Sequence, residues 1–187
     1  MKDVLNIALF LIAVVVGAWL VNLFIFRSFN VDGPSMEKTL YTGDRLIVNR
    51  LPVTWEHLRG RQFIPNRGQI VVFKNPFFEK GMFDEYIVKR VIAFPGERVV
   101  LKDRKMLVYN KENPSGLDVD MLTPDVVQPT HGSVDMTVPD GEIFVAGDHR
   151  QASYSHDSRN GLGTIPYDEI IGPVSFRIFP FTAFRAF

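Results

Sequence analysis

The sequence predicts a mainly β chain, with a single N-terminal transmembrane helix followed by an antiparallel, barrel-like β-sheet domain. Three observations lead there. Val4 to Phe26 is a 23-residue run without a charge, in which Asn6, Gly17 and Asn22 are the only polar or flexible residues. Beyond it, short β-branched or aromatic runs alternate with turns that contain Gly or Pro, the pattern of sheets and barrels rather than of a helix bundle. The 187 residues suffice for one core plus one anchor, and no repeat or low-complexity tract divides them.

As a helix, residues 4–26 span roughly 35 Å, enough to cross a hydrocarbon core of ~30 Å with some tilt. A buried core helix would be shorter and would carry a polar face. A cleaved secretory signal has an apolar region of roughly 7–15 residues followed by a small-x-small site, and no such site follows here. Lys2 precedes the run while Arg27, Lys38 and Arg45 follow it, so a positive-inside count does not favour an outside C-terminal domain. Residues 27–187 read as one domain. Its strands are Leu46-Ile47-Val48 after a Thr42-Gly43-Asp44 turn, Gln69 to Phe73 after Asn66-Arg67-Gly68, and Arg98 to Leu101 after Pro95-Gly96-Glu97. Met106 to Tyr109 and Glu142 to Ala146 complete the set. Residues 111–137 carry three prolines among many polar side chains and read as an extended loop or inserted hairpin. Residues 54–66 read as a second irregular loop. Phe176, Phe179, Phe181, Phe184 and Phe187 form either a core strand or an aromatic apron at a membrane interface.

Composition excludes several chemistries. Twenty-one basic and 21 acidic residues balance, which gives no electrostatic footprint for nucleic acid. Without cysteine there is no disulfide framework, thiol nucleophile or cysteine-ligated zinc. The four histidines form no His-Glu-x-x-His pattern, so neither a metal nor a cofactor is expected.

Candidate chemistry lies in three segments. Ser35 follows Gly33-Pro34, a tight turn that exposes a hydroxyl and its own amide, and it lacks the Gly-x-Ser-x-Gly pattern. Lys89 sits in the strand-like Tyr86-Ile87-Val88-Lys89-Arg90-Val91-Ile92, on one face with Ile87, Val91 and Ala93. Burial there would lower its pKa. At ~10.4 about one lysine in 2,500 is neutral at pH 7, whereas at ~8 about one in ten is, and a neutral amine can take a serine proton. The plain alternative is an edge lysine whose stem packs and whose ammonium reaches water. The third segment, Gly147-Asp148-His149-Arg150 through Ser155-His156-Asp157-Ser158-Arg159, is dense in donors and acceptors. If extended, it places Ser155, Asp157 and Arg159 on one face. His156 beside Asp157 invites a triad with Ser35, but adjacent residues of a strand point to opposite faces.

In order and in sequence, these segments resemble bacterial type I signal peptidases. Val31-Asp32-Gly33-Pro34-Ser35-Met36-Glu37-Lys38-Thr39-Leu40 is similar to the family's serine box, and Tyr86 to Glu97 to its lysine box. Arg67 to Phe73, the Gly147–Gly161 segment and the closing Gly172 to Arg177 with Phe179-Pro180-Phe181 also fit. The resemblance implies a serine endopeptidase that removes N-terminal signal peptides from exported preproteins, typically after a small-x-small sequence. It implies residues 1–3 in the cytoplasm, residues 4–26 in the bilayer and residues 27–187 outside, with signal peptides and the lipid bilayer as partners. It assigns Ser35 as nucleophile with its amide in the oxyanion hole, and Lys89 as general base. Ser155 would orient the Lys89 amine, and Asp157 with Arg159 would brace the loop beside Asp148.

The sequence also departs from the family pattern. Gly33 stands where some members carry a serine whose hydroxyl completes the oxyanion hole. Lys38 replaces the usual proline, Gln69 the usual aspartate and His149 the usual asparagine. Two extra residues follow Arg150, which makes Ser153 a rival to Ser155; only Ser155 keeps the spacing to Asp157 and Arg159. Two other classes share features with the chain. Self-cleaving repressors use a Ser-Lys pair but are soluble and DNA-binding. A silent or specialised membrane-anchored member would act on or bind one dedicated exported partner.

Overall fold

A computed structural model describes residues 2–80, 84–123, 125–151 and 154–187. Helix α1, Lys2–Phe24, buries none of its residues, so its whole apolar circumference faces outward. Its length and composition suit a membrane span. It ends two residues before the apolar run does. Phe26–Asn30 forms strand β1 instead, pairing antiparallel with β2, Arg45–Asn49, from Phe26↔Asn49 to Asn30↔Arg45. Ladder formation overrides the continuing hydrophobicity.

Helix α2, Leu51–Leu58, occupies the start of the segment expected to be irregular. It is only eight residues long with proline in its first turn, so its own propensity is weak. Its position comes from tertiary contacts: the Thr54 hydroxyl donates to the Phe24 carbonyl at the end of α1, and the Arg50 amide donates to the Ile25 carbonyl.

The remaining strands are β3 (Ile70–Lys74), β4 (Tyr86–Ala93), β5 (Arg98–Lys102), β6 (Lys105–Tyr109), β7 (Leu117–Asp118), β8 (Asp135–Thr137), β9 (Glu142–Ala146), β10 (Ile165–Pro166), β11 (Ile170–Phe179) and β12 (Arg185–Ala186). Among the described residues they form two antiparallel sheets. The larger runs β1-β2-β11-β3-β4-β9-β10, with β12 also on β11; the smaller runs β7-β6-β5-β8. The fold is mainly β and antiparallel, as the turn punctuation predicts. Residues 111–137 contribute β7 and β8 to the smaller sheet. That sheet packs on the larger one through a core that joins Val99, Met106 and Val108 to Ile92, Phe144 and Ala146.

Central strand β4 lies between β3 and β9, so its middle residues are shielded on both sides. Lys89, opposite Val71 of β3, is therefore an interior lysine rather than an edge one. A second core cluster sits beneath the turn that carries Ser35. Met36 and Leu40, fully buried, plug it between Leu46, Val48, Ile70 and Val72. Burying a side chain of that size contributes about 1.5–3 kcal/mol, enough to fix a turn that has no ladder of its own.

Candidate active site

Ser35 stands in the turn between β1 and β2. Gly33 has φ +87°, a left-handed conformation that glycine adopts without strain, so the turn itself favours glycine there. Met36 anchors the turn from below. From the side, the His149 amide donates to the Ser35 carbonyl at 3.1 Å, and the His149 ring nitrogen Nδ1 lies 3.3 Å from the Pro34 carbonyl. The ring stacks on Tyr154 with centroids 4.3 Å apart. The histidine that replaces the usual asparagine is thus a clamp on the serine turn. The Ser35 amide itself donates to no acceptor among the described residues.

Lys89 meets Ser35 across the interior. Its Nζ donates to Ser35 Oγ at 2.8 Å and to the Val88 carbonyl at 3.0 Å. The side chain is only 4% exposed. Burial pushes its pKa down to about 8, against the pull of Asp157 and Asp148 and with the aid of Arg159. Amine and hydroxyl both open into a cleft of about 470 Å³ lined by Phe29, Gly33, Tyr86, Ile87 and Tyr154. His156 also lines this cleft, but the side chain hydrogen-bonded to the Ser35 hydroxyl is Lys89.

Asp148 explains why two segments 54 residues apart meet in register. Fully buried, it accepts from Arg90 Nε at 2.7 Å and Arg90 Nη2 at 2.5 Å, and its Oδ2 also accepts the Thr39 hydroxyl at 2.5 Å. Arg90 adjoins Lys89, and Thr39 lies in the serine turn. One carboxylate therefore ties both halves of the site together with charge-assisted bonds.

Asp157 sits at the centre of the supporting loop. It accepts from Ser155 Oγ at 2.7 Å, from the Gly147 amide at 2.9 Å and from Arg159 Nε and Nη2 at 2.9 and 2.7 Å. Burial pushes its carboxyl up, but the Arg159 bonds and charge, with those of Ser155 and Gly147, outweigh this and leave it below the ordinary range. The segment is a turn rather than an extended strand, closed by Asn160 accepting the Asp157 amide. Ser155 does not hydrogen-bond Lys89 here. Its proton goes to Asp157, and its oxygen packs with the Ser35 carbonyl against Gly147. Ser153 lies outside the described residues.

Three contributors escaped sequence reasoning. Gly147 has no space for a Cβ, because the Ser155 hydroxyl and the Ser35 backbone carbonyl occupy it. Thr39 bonds Asp148. Asp120, in the proline-bearing excursion, pairs with fully buried Arg150, whose Nε donates to the Gly147 carbonyl at 2.5 Å. That stretch holds five acidic residues, Glu112, Asp118, Asp120, Asp125 and Asp135, so nothing in the sequence singled out the last. Among the described residues no group of His, Cys, Asp and Glu is arranged to hold a metal.

A buried amine of lowered pKa bonded to a hydroxyl, beside a free backbone N–H and an open cleft, defines the class of serine/lysine hydrolases. Residues 4–179 match the family model described as signal peptidase, peptidase S26. The chain is 35% identical over 185 residues to a signal peptidase I of Bacillus amyloliquefaciens, covering 97% of this chain and 91% of that protein. It is 35% identical over 195 residues to signal peptidase I S of Bacillus subtilis (strain 168), covering 98% and 94%. A solved signal peptidase I from Enterococcus faecalis V583 aligns at 27% identity with a TM-score of 0.42, covering 59% of this chain and 96% of that one. The chain belongs to the signal peptidase family of serine peptidases.

Proposed function

We propose that this protein is a membrane-anchored endopeptidase that cuts signal peptides from exported preproteins, with Ser35 as nucleophile and Lys89 as general base. The observation that carries the assignment is the 2.8 Å hydrogen bond between a buried Lys89 amine and the Ser35 hydroxyl. Neutral Lys89 removes the Ser35 proton as Oγ adds to the scissile carbonyl carbon. The Ser35 amide, which has no acceptor among the described residues, donates to the resulting oxyanion. Lys89 then passes the proton to the leaving amine, the C–N bond breaks, and the signal peptide remains as an ester on Ser35. Water enters, loses a proton to Lys89 and attacks the ester, and the proton returns to Ser35 Oγ. Asp157, Arg159, Ser155 and Asp148 fix the geometry without touching the reacting atoms.

The anchor explains the address. Eight residues separate Phe26 from Ser35, so the cleft stays close to the bilayer, where a signal peptide presents its cleavage site. Tethering confines the search to a thin layer and raises the effective concentration. The β domain lies on the extracytoplasmic side in this reading.

The test is purified protein with a preprotein carrying an Ala-x-Ala site, the new amino terminus being sequenced. Ser35→Ala and Lys89→Ala should each abolish cleavage, and the double variant should be little worse than either, because the two act as one unit. Loss of activity in a histidine variant, with Lys89→Ala still active, would overturn the assignment.

A further inference from the structure

Among the described residues nine arginines sit in ion pairs with carboxylates: Arg59, Arg61, Arg67, Arg90, Arg98, Arg150, Arg159, Arg177 and Arg185. Among the described residues four have none: Arg27, Arg45, Arg50 and Arg104. Arg45 and Arg104 are exposed, where water solvates them. Arg27 and Arg50 are partly buried, and they lie close enough for the Arg27 charge to act on Arg50.

Their positions follow from the ladder. Phe26 pairs with Asn49, and the Arg50 amide donates to the Ile25 carbonyl at 2.7 Å. Arg50 therefore stands across from Ile25. Arg50 itself has helical backbone at the start of α2, and Arg27, in β1, lies two residues beyond Ile25. Arg27 places its Cζ 4.4 Å from the Tyr86 ring centroid and 5.0 Å from that of Phe29, and donates to the Tyr86 hydroxyl at 3.1 Å. Among the described residues the Arg50 guanidinium makes no hydrogen bond, and its Nε is shut away from solvent without a partner. Burial, and then the Arg27 charge, hold Arg50 below its ordinary pKa. Two neighbouring like charges, one held on an aromatic surface and the other with an unused buried donor, lack among the described residues the anion that every other partly buried arginine has.

Depth identifies that anion. The 23 residues of α1 extend about 34 Å, a few Å beyond a hydrocarbon core of ~30 Å. Arg50, opposite Ile25, and Arg27 lie at most three strand residues beyond the helix end, about 10 Å at ~3.3 Å per residue. The headgroup zone on each side is roughly 5–8 Å thick, and an arginine side chain can reach back into it. We propose that Arg27 and Arg50 form a phosphate site for an anionic phospholipid at the exit of the anchor, the fork geometry of guanidinium matching phosphodiester oxygens. Tyr86, which Arg27 holds, also lines the Ser35 cleft, so the bound lipid abuts the cleft on its membrane side.

The site rests on α1 crossing the bilayer but not on the catalytic roles, and the test separates the two. The full chain is reconstituted in phosphatidylcholine vesicles holding a trace of spin-labelled phosphatidylglycerol or spin-labelled phosphatidylcholine, and the motionally restricted label is read by electron paramagnetic resonance. Co-flotation with the vesicles reports on the anchor independently. The parent should select phosphatidylglycerol over phosphatidylcholine at least fivefold. Arg27→Gln and Arg50→Gln should each lower that preference by about fivefold at most, the size of one basic side chain at an anionic surface, and the double variant should abolish it. Circular dichroism confirms folding; should Arg27→Gln misfold, Arg50→Gln alone decides, since Arg50 holds no other side chain. Equal association of both lipids with the parent, or full selectivity in the double variant, overturns the proposal. Loss of the preference on adding excess inorganic phosphate at constant ionic strength overturns the lipid assignment in favour of free phosphate.

Discussion

Replacing Lys89 by Met keeps the length and apolar volume of the stem and deletes the charge. The buried ammonium has its pKa lowered to about 8, against ~10.4 in an unfolded chain. Charging it in the folded protein therefore costs about 3 kcal/mol. The substitution also removes hydrogen bonds to Ser35 and to the Val88 carbonyl, worth ~1 kcal/mol each. The net expectation at pH 7 is an inactive protein that is more stable than the parent by about 1 kcal/mol. The sign reverses with pH. Below the folded pKa of about 8 both states of the parent hold the proton and the penalty is complete. Between that value and ~10.4 the unfolded chain binds more protons than the folded one, so the parent gains stability as pH rises. Above ~10.4 only the lost hydrogen bonds remain, and Lys89→Met becomes the less stable protein. Equilibrium urea unfolding of both full-length proteins in detergent, from pH 6 to pH 11, reads the difference directly. A difference that stays constant with pH, or a variant clearly less stable at pH 7, would mean a solvated or paired ammonium and would refute the argument for a neutral base.

Gly147→Ala drives a Cβ into the Ser35 carbonyl and the Ser155 hydroxyl; it should cost at least ~2 kcal/mol in thermal unfolding and reduce preprotein cleavage severely, because backbone cannot yield as a side-chain tip does. Arg159→Gln leaves Asp157 uncompensated beside Lys89, so the rising limb of the pH–kcat/KM profile should move to higher pH; an unmoved limb would contradict the role given to Arg159. A single cysteine at the exposed Glu112 should react with an impermeant thiol reagent in intact spheroplasts, and labelling only after lysis would reverse the orientation of the β domain.

Legibility in the sequence followed the range of the interaction. The strand at 142–146 and those near 70–73, 98–101 and 106–109 were readable because each is a β-branched or aromatic run closed by its own turn. Ile87, Val91 and Ala93 made burial of Lys89 one of two readings, and only the place of β4 between β3 and β9 excludes the edge lysine. The end of α1 was not, since Ile25 and Phe26 are as apolar as what precedes them, and only pairing with Asn49 and Arg50 decides it. Helix α2 depends on a hydroxyl reaching Phe24, 30 residues away. Asp120 meets Arg150 across 30 residues and Thr39 meets Asp148 across 109, and neither leaves a local pattern. Gly147 reads as an ordinary turn glycine until the Ser35 carbonyl is placed against it.

The buried ion pairs around the site then acquire a reason. Asp148 with Arg90, Asp157 with Arg159 and Asp120 with Arg150 are all nearly or fully removed from solvent. Buried pairs of this kind seldom add stability, because desolvation offsets attraction. Their effect on Lys89 is larger. An unpaired carboxylate at ~4 Å in a medium of effective dielectric ~20 attracts an ammonium by about 4 kcal/mol, equivalent to roughly three pK units. Asp157 and Asp148 both pull Lys89 upward, and left unpaired they would return it to a permanently charged state. Bonding each to an arginine turns a net charge into a short dipole, whose field falls off faster. Desolvation is then left as the largest influence on the amine, and the pKa settles at about 8. The same arginines place the carboxylates where they must bond Thr39, Ser155 and the Gly147 amide. One set of pairs thereby fixes the distance between Ser35 and Lys89 while leaving the lysine able to lose its proton.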